Sequence, residues 1–233
     1  MLVVVITGAS QGIGAAIARA FAEEPQARLA LVARQQHKLE AVAADCRARG
    51  ADVLVLPCDV TDEAAVAAMA RQVLDRWGAP DVLVNNAGQF RPAPLRETSV
   101  ETFRAQLEAN LTSAFLVTQA FLEAMIARRQ GHIFFMGSVA SIRAYPGSVA
   151  YCAAKHGLLG LARVVREETR TLGLRVTVLL PGATYTPSWE GVDLPEERFM
   201  PAEDIARTVR ALYHLSPRTV AEEIVLRPQE GDI

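Results

Sequence analysis

A chain of 233 residues, 51% hydrophobic and 21% charged, is long enough for one large domain or two small ones and for a substantial buried core. A formal net charge of −2 leaves no electrostatic footprint for nucleic acid or an anionic membrane, so neither is expected as a partner. Three cysteines without paired spacing argue against a disulfide framework and fit a reducing, cytoplasmic setting, and four histidines without ligand spacing give no reason to expect a metal site.

The opening apolar run, LVVVI at 2–6, has no basic flank and breaks into glycine, so it reads as a buried strand. No stretch reads as long enough to span a bilayer. Six more such runs follow: RLALVA (28–33), DVLVLP (52–57), DVLVN (81–85), HIFFMGS (132–138), RVTVLL (175–180) and EIVLR (223–227). Their β-branched, almost unbroken hydrophobicity predicts strands covered on both faces. Ala-rich segments with helical spacing lie between them, among them 62–77, 111–128 and 149–172, with Asp62 and Ser99 as helix starts. Strand–helix alternation predicts a parallel sheet between two helical layers. No linker or repeat divides the chain, so one domain is expected over 1–233. Cys46, Cys58 and Cys152 read as small buried hydrophobes.

The first strand runs into TGASQGIGAAIARAF (7–21), where Gly8, Gly12 and Gly14 mark a strand–turn–helix junction. Glycine lets backbone approach a pyrophosphate, and a helix start supplies N–H donors and the positive end of a dipole. A bare structural turn uses the same residues; the position after the first strand favours the ligand. The second strand ends in Ala33-Arg34, without the acidic residue that holds a free ribose 2′-hydroxyl, and an Arg there suits a 2′-phosphate. The third strand is followed by Asp59, placed to accept from an adenine amino group, and the fourth by the small, polar Asn85-Asn86-Ala87-Gly88.

Ser138 ends the fifth strand, where its hydroxyl could polarise a carbonyl oxygen. Thirteen residues later Tyr151 precedes Lys155 by one helical turn. Only Lys38 and Lys155 among the 24 basic residues are lysine. A cation within ~4 Å at an effective dielectric of ~20 stabilises a phenolate by about 4 kcal/mol, or up to ~3 pKa units. Lys155 is therefore read as part of a proton-transfer pair. The one long aperiodic stretch, 182–200, is a candidate substrate-binding loop. Its Trp189, Phe199 and Met200, with Tyr145 from SIRAYPG, are pocket wall or plain core.

Together Gly8-x3-Gly12-x-Gly14, Asn85-Asn86-Ala87-Gly88, Asn110, Ser138, Tyr151-x3-Lys155 and Pro181-Gly182 resemble the short-chain dehydrogenase/reductase family, in family order from 6 to about 187. The resemblance implies an α/β fold: a doubly wound, Rossmann-like parallel sheet of about seven strands with helices on both faces. It also implies hydride transfer between NADP(H) and a small carbonyl or alcohol substrate. By the same likeness Tyr151 is the general acid/base, Lys155 lowers its pKa and holds the nicotinamide ribose, Ser138 polarises the substrate and Asn110 holds a relay water. Cofactor contacts extend to Ser10, Gln11, Ile13, Val60, Asn86, Ala87, Gly88, Pro181, Gly182, Thr184 and Thr186. Family members that favour NADP(H) over NAD(H) carry a basic residue where Arg34 stands. A homodimer or homotetramer through helices 111–128 and 149–172 is implied as well.

The short segment after Pro181-Gly182 and the ending EEIVLRPQEGDI depart from the family pattern, so the resemblance does not name the substrate. An uncharged pocket suits an apolar ketone, aldehyde or acyl thioester. A non-catalytic NADP(H) sensor is the alternative on the same fold, although it would need no proton-relay residues. An epimerase-type relative would carry a different glycine spacing and a larger C-terminal region.

Overall fold

Val, Leu, Ile and Phe crowd seven short segments whose side chains point alternately to the two faces of one sheet. In a computed structural model, which describes residues 1–189 and 191–233, these are β1 (Leu2–Thr7), β2 (Ala27–Ala33), β3 (Asp52–Pro57), β4 (Val82–Asn85), β5 (Gly131–Met136), β6 (Leu174–Pro181) and β7 (Glu223–Leu226). Their order is β3-β2-β1-β4-β5-β6-β7, every neighbouring pair parallel. The seven expected strands are all present. The edge strand β7 departs from the expected double cover, with Val225 46% exposed.

Each face of the sheet has its own core. On one, Val4, Ile6, Leu29 and Leu31 pack with Ile17 and Phe21 of α1 (Gly12–Phe21), Leu39 of α2 (Gln36–Ala48) and Ile205 of α7 (Ala202–Tyr213). On the other, Val3, Val5, Ile133 and Phe135 meet Val66 and Val73 of α3 (Glu63–Trp77), Phe121 of α5 (Ser113–Arg128) and Leu158 of α6 (Val149–Thr169). The two forecast helix starts act as caps. Asp62 Oδ1 accepts from the N–H groups of Ala64 and Ala65 at 2.9 and 3.1 Å, and Ser99 Oγ from that of Thr102 at 3.1 Å. Each such cap contributes about 1 kcal/mol.

α4 (Val100–Leu107) and α5 are not separate. A π-helical turn over Glu108–Thr112 joins them into one run, Val100–Arg128. That run has the length and apolar character of a bilayer span, which the sequence reading denied to every stretch. Within the fold, Val117, Phe121 and Met125 of this run are buried against the sheet.

Strand order reverses between β1 and β4, and at such a switch point two diverging connections leave a crevice at the strands' carboxyl ends.

Candidate active site

Thr7, the last residue of β1, organises the crevice. Its hydroxyl donates to the Val84 carbonyl at 3.2 Å and accepts from the N–H groups of Asn86 and Ala87 at 3.0 Å each. The Asn86 amide returns to the carbonyls of Thr7 and Gly8 at 2.9 and 3.3 Å. The glycine turn and the Asn-Asn-Ala-Gly turn are thereby fixed side by side. Gly8 and Gly12 hold φ of +66° and +54°, the left-handed region open to glycine. At Gly14 the constraint is room, since a Cβ there would lie 2.3 Å from the Gly8 carbonyl oxygen. This bare backbone opens onto a cavity of about 1030 Å³. Gly12 and Ile13 line it, so the start of α1 offers the cavity its free N–H groups and the positive end of its dipole.

Arg34, Lys38, Asp59 and Val60 line one end. The Lys38 ammonium donates to Gln11 Oε1 at 3.2 Å, which draws α2 toward the glycine turn. Both lysines of the chain thus border one cavity. Lys38 escaped the sequence reading, although its rarity, the signal that singled out Lys155, applied to it equally. Asp59 Oδ1 accepts from the N–H and hydroxyl of Thr61 at 3.0 and 2.8 Å, bonds that hold its carboxyl below the usual range, with Arg34 assisting. Open glycine backbone, a helix start and two cations with no acid after β2 fit a dinucleotide that carries an extra phosphate.

The far end of the cavity is built from side chains. Ser138 caps a single 3-10 turn, Val139–Ser141, accepting from the Ala140 N–H at 3.1 Å, so it is both a cap and part of the cavity wall. Its hydroxyl also acts on the Tyr151 phenol, favouring the ionised form. Lys155, one turn along α6, is 5% exposed and donates to the Met136 carbonyl at 2.8 Å. Its ammonium lies 5.6 Å from the centre of the Tyr151 ring.

Burial works against the lowering of the phenol's pKa expected from this ammonium. Burial pushes the Tyr151 phenol up to about 12, offset only in part by the Ser138 hydroxyl. Burial also brings Lys155 down to about 8. The phenol is therefore a protonated acid throughout the neutral range.

Asn110 sits in the π turn, a geometry that recurs at functional sites. Its amide donates to the carbonyls of Gln89 and Gln106 at 2.9 and 3.0 Å, and its Oδ1 accepts from the Gln89 N–H at 3.2 Å. Both amide hydrogens are engaged and one lone pair remains. A Cβ on Gly88 would lie 2.6 Å from that oxygen and 3.7 Å from the Lys155 ammonium. The missing side chain of Gly88 keeps open the space between them.

Pro181, Gly182, Thr184 and Thr186 form the remaining wall, and the Thr186 methyl lies 3.2 Å from where Gly12 would carry a Cβ. Of the residues expected to contact cofactor or substrate atoms, all but Gly14 line the cavity; Gly14 lies beneath, against Gly8. The 182–200 segment carries two short 3-10 turns, Pro187–Trp189 and Glu196–Arg198, while position 190 lies outside the described residues. Tyr145 and Trp189 prove to be wall; Phe199 and Met200 are buried as core. Cys46 and Cys58 are buried as expected, but Cys152, beside Tyr151, is partly exposed. Sequence reasoning also missed Phe90, whose ring meets Tyr151 edge-on at 4.9 Å, and Asp232 and Ile233, which border the cavity from the far end of the chain.

Known proteins are similar to this chain in sequence and fold. A family model described as short chain dehydrogenase matches residues 2–197. The sepiapterin reductase of Chlorobaculum tepidum is 40% identical, over 99% of this chain and 98% of its own length. An alcohol dehydrogenase of the archaeon Thermococcus sibiricus, solved with 5-hydroxy-NADP, superposes with a TM-score of 0.92 at 34% identity, covering 98% of this chain and 97% of that one. An actinorhodin polyketide ketoreductase variant solved with NADPH has a TM-score of 0.89 at 27% identity, covering 100% of this chain and 98% of its own. Sequence and fold agree from end to end, and the chain belongs to the short-chain dehydrogenase/reductase family of oxidoreductases.

Proposed function

We propose that this protein is a carbonyl reductase that prefers NADPH to NADH. One observation carries the reading: a protonated, partly buried phenol shares one end of a cavity of about 1030 Å³ with a serine hydroxyl and a buried ammonium. NADPH, when bound, supplies a hydride to the substrate's carbonyl carbon. Tyr151 donates its proton to the carbonyl oxygen, and Ser138 holds that oxygen with a hydrogen bond that strengthens as charge develops on it. Lys155 keeps positive charge beside the phenolate left behind and holds the nicotinamide ribose. The space beside Gly88, between Asn110 and Lys155, admits the water that returns a proton. Arg34 and Lys38 grip the 2′-phosphate and give the preference its physical basis.

Phe90, Tyr145 and Trp189 give the reacting end an aromatic lining, which suits an apolar or flat carbonyl compound. The end-to-end relative makes sepiapterin the first compound to try. Phe115 on α5 and Val164 on α6, 45% and 54% exposed, suit burial between copies, in keeping with a homodimer or homotetramer in the cytoplasm. The test follows absorbance of NADPH and of NADH with sepiapterin and a panel of ketones, aldehydes and acyl thioesters, alongside Tyr151→Phe. NADPH-selective oxidation abolished by the substitution is the expected result. Binding of NADPH with no turnover across the panel would instead favour the sensor.

A further inference from the structure

Residues 227–233 border the substrate end of the cavity, and most of the side-chain bonds that tie them there go through Asp232. The Gly182 N–H donates to the Leu226 carbonyl at 2.8 Å, and the Pro228 ring lies 3.1 Å from where Gly182 would carry a Cβ. The Gly231 N–H closes a turn onto the Pro228 carbonyl at 2.9 Å, and φ of +90° at Gly231 swings the chain back toward the cavity. Asp232 then lies beside the loop that leads into α6. Its Oδ2 accepts from the Tyr145 hydroxyl at 2.8 Å, from Arg227 at 2.9 Å and from Arg143 at 3.3 Å. A further ion pair, Arg198–Glu230 at 2.8 Å, joins the same segment to the 182–200 loop.

The distribution of these bonds is informative. Three donors converge on one oxygen of Asp232, while its other oxygen is buried without a partner among the described residues. A clamp shaped by stability alone would engage both oxygens, as a bidentate arginine does, because an unpaired buried acceptor costs free energy. What the observed pattern secures is position. The Tyr145 ring, six residues before Tyr151 in sequence, is held against the cavity together with Ile233. Burial and the neighbouring carboxylate raise the Tyr145 phenol above its ordinary range, so it remains a donor.

We propose that Asp232 is a positioning residue for Tyr145, and that segment 227–233 is a strap whose closure sets the size of carbonyl compound held at Ser138 and Tyr151. The proposal rests on the carbonyl reductase reading for its substrate but not for the strap itself. With the strap fastened, a small ketone is held against Tyr145. Once it is released the wall retreats, and bulky ketones gain relative to small ones.

The test compares the unmodified protein with Asp232→Ala, Tyr145→Phe and the double variant. Each is given NADPH and ketones graded in bulk, and hydrogen–deuterium exchange is followed in segments 142–148 and 227–233. In Asp232→Ala, KM for the smallest accepted ketone should rise about tenfold, the effect of losing a charge-assisted hydrogen bond, with kcat changed far less. Bulky ketones should be spared, and the NADPH Kd should stay within about twofold, because the strap lies away from the nucleotide end. Tyr145→Phe should move KM in the same direction, and the double variant should be no worse than Asp232→Ala, as expected for two halves of one contact. Exchange should quicken in both segments together. A uniform loss of kcat/KM across all ketones, additive effects, or loosening of 227–233 alone would overturn the proposal. If the unmodified protein reduces no ketone, the reductase reading fails, and the strap is judged on exchange: coupled loosening supports it, independent behaviour of the segments sinks it.

Discussion

The two ends of the cavity are built in opposite ways. At the nucleotide end the site is made by leaving side chains out: Gly8 and Gly12 adopt conformations that favour glycine, Gly14 lies against backbone, and Thr7 and Asn86 hold two turns together. At the reacting end it is made by burying side chains that would be more stable in water, Lys155 above all. The first end presents fixed backbone dipoles, which suit binding; the second holds ionisable groups away from their ordinary pKa values, which suits reaction.

Substitutions separate the two ends by which quantity they move. The largest effect belongs to the reacting end. Tyr151→Phe removes the proton donor and should lower kcat by about 10²–10⁴ while leaving NADPH binding, read by fluorescence titration, nearly unchanged. At the nucleotide end the order is reversed. Arg34→Ala should weaken NADPH by about ten- to a hundredfold, the value of a charge-assisted bidentate contact, with little change for NADH or in kcat. Lys38→Gln should act in the same direction by only a few-fold, because a single flexible ammonium already bonded to Gln11 contributes less than a planar fork. Equal losses for NADPH and NADH in either variant would detach these residues from the 2′-phosphate.

Gly14→Ala asks whether the first end is as rigid as its packing indicates. The new methyl would stand 2.3 Å from the Gly8 oxygen and 2.5 Å from the Asn86 amide nitrogen. Backbone must shift to admit it. Such overpacking destabilises by about 1–3 kcal/mol, read as a lowered Tm, with weakened binding of both cofactors. Gly160, in α6, has nothing within 4 Å of its absent Cβ, and Gly160→Ala should instead be neutral or slightly stabilising.

The same contrast explains what was legible in the sequence. The glycine turn, Asn86, Asp59 and Arg34 could be read because each lies immediately after a strand, and the parallel order of the sheet brings those strand ends to one edge. Tyr151 and Lys155 could be read because one helical turn suffices to align them. The remainder depends on distances that no local pattern encodes. Lys38 reaches the cavity by way of Gln11, and Phe90 folds back over Tyr151. Asp232 meets Tyr145 across 87 residues. The direction of the Tyr151 shift was also beyond reach, because it depends on burial.

Lys155 supplies the prediction most specific in pH. Its folded pKa, about 8, lies below the ordinary 10.5, so below pH 8 the fold carries the penalty of a buried charge, about 3 kcal/mol. As pH rises from about 8 to 10.5 the unfolded chain binds more protons than the folded one, and this group's contribution to stability increases. Tyr151 acts oppositely: with its folded pKa raised from 10 to about 12, it withdraws stability between those values. Denaturation followed against pH should therefore show a rise from 8 toward 10 and a fall beyond it. Lys155→Met should abolish the rise, and at pH 7 should stabilise by about 1 kcal/mol net, since relief of the charge penalty is partly offset by leaving the Met136 carbonyl without its donor. The same variant should lose most of its turnover. In the unmodified protein, kcat/KM for NADPH, which reports the free enzyme, should decline above about pH 8 as the ammonium discharges. A Lys155→Met protein no more stable than its parent would mean that the ammonium is better solvated than its burial indicates, and that the reacting end is not built against its own stability after all.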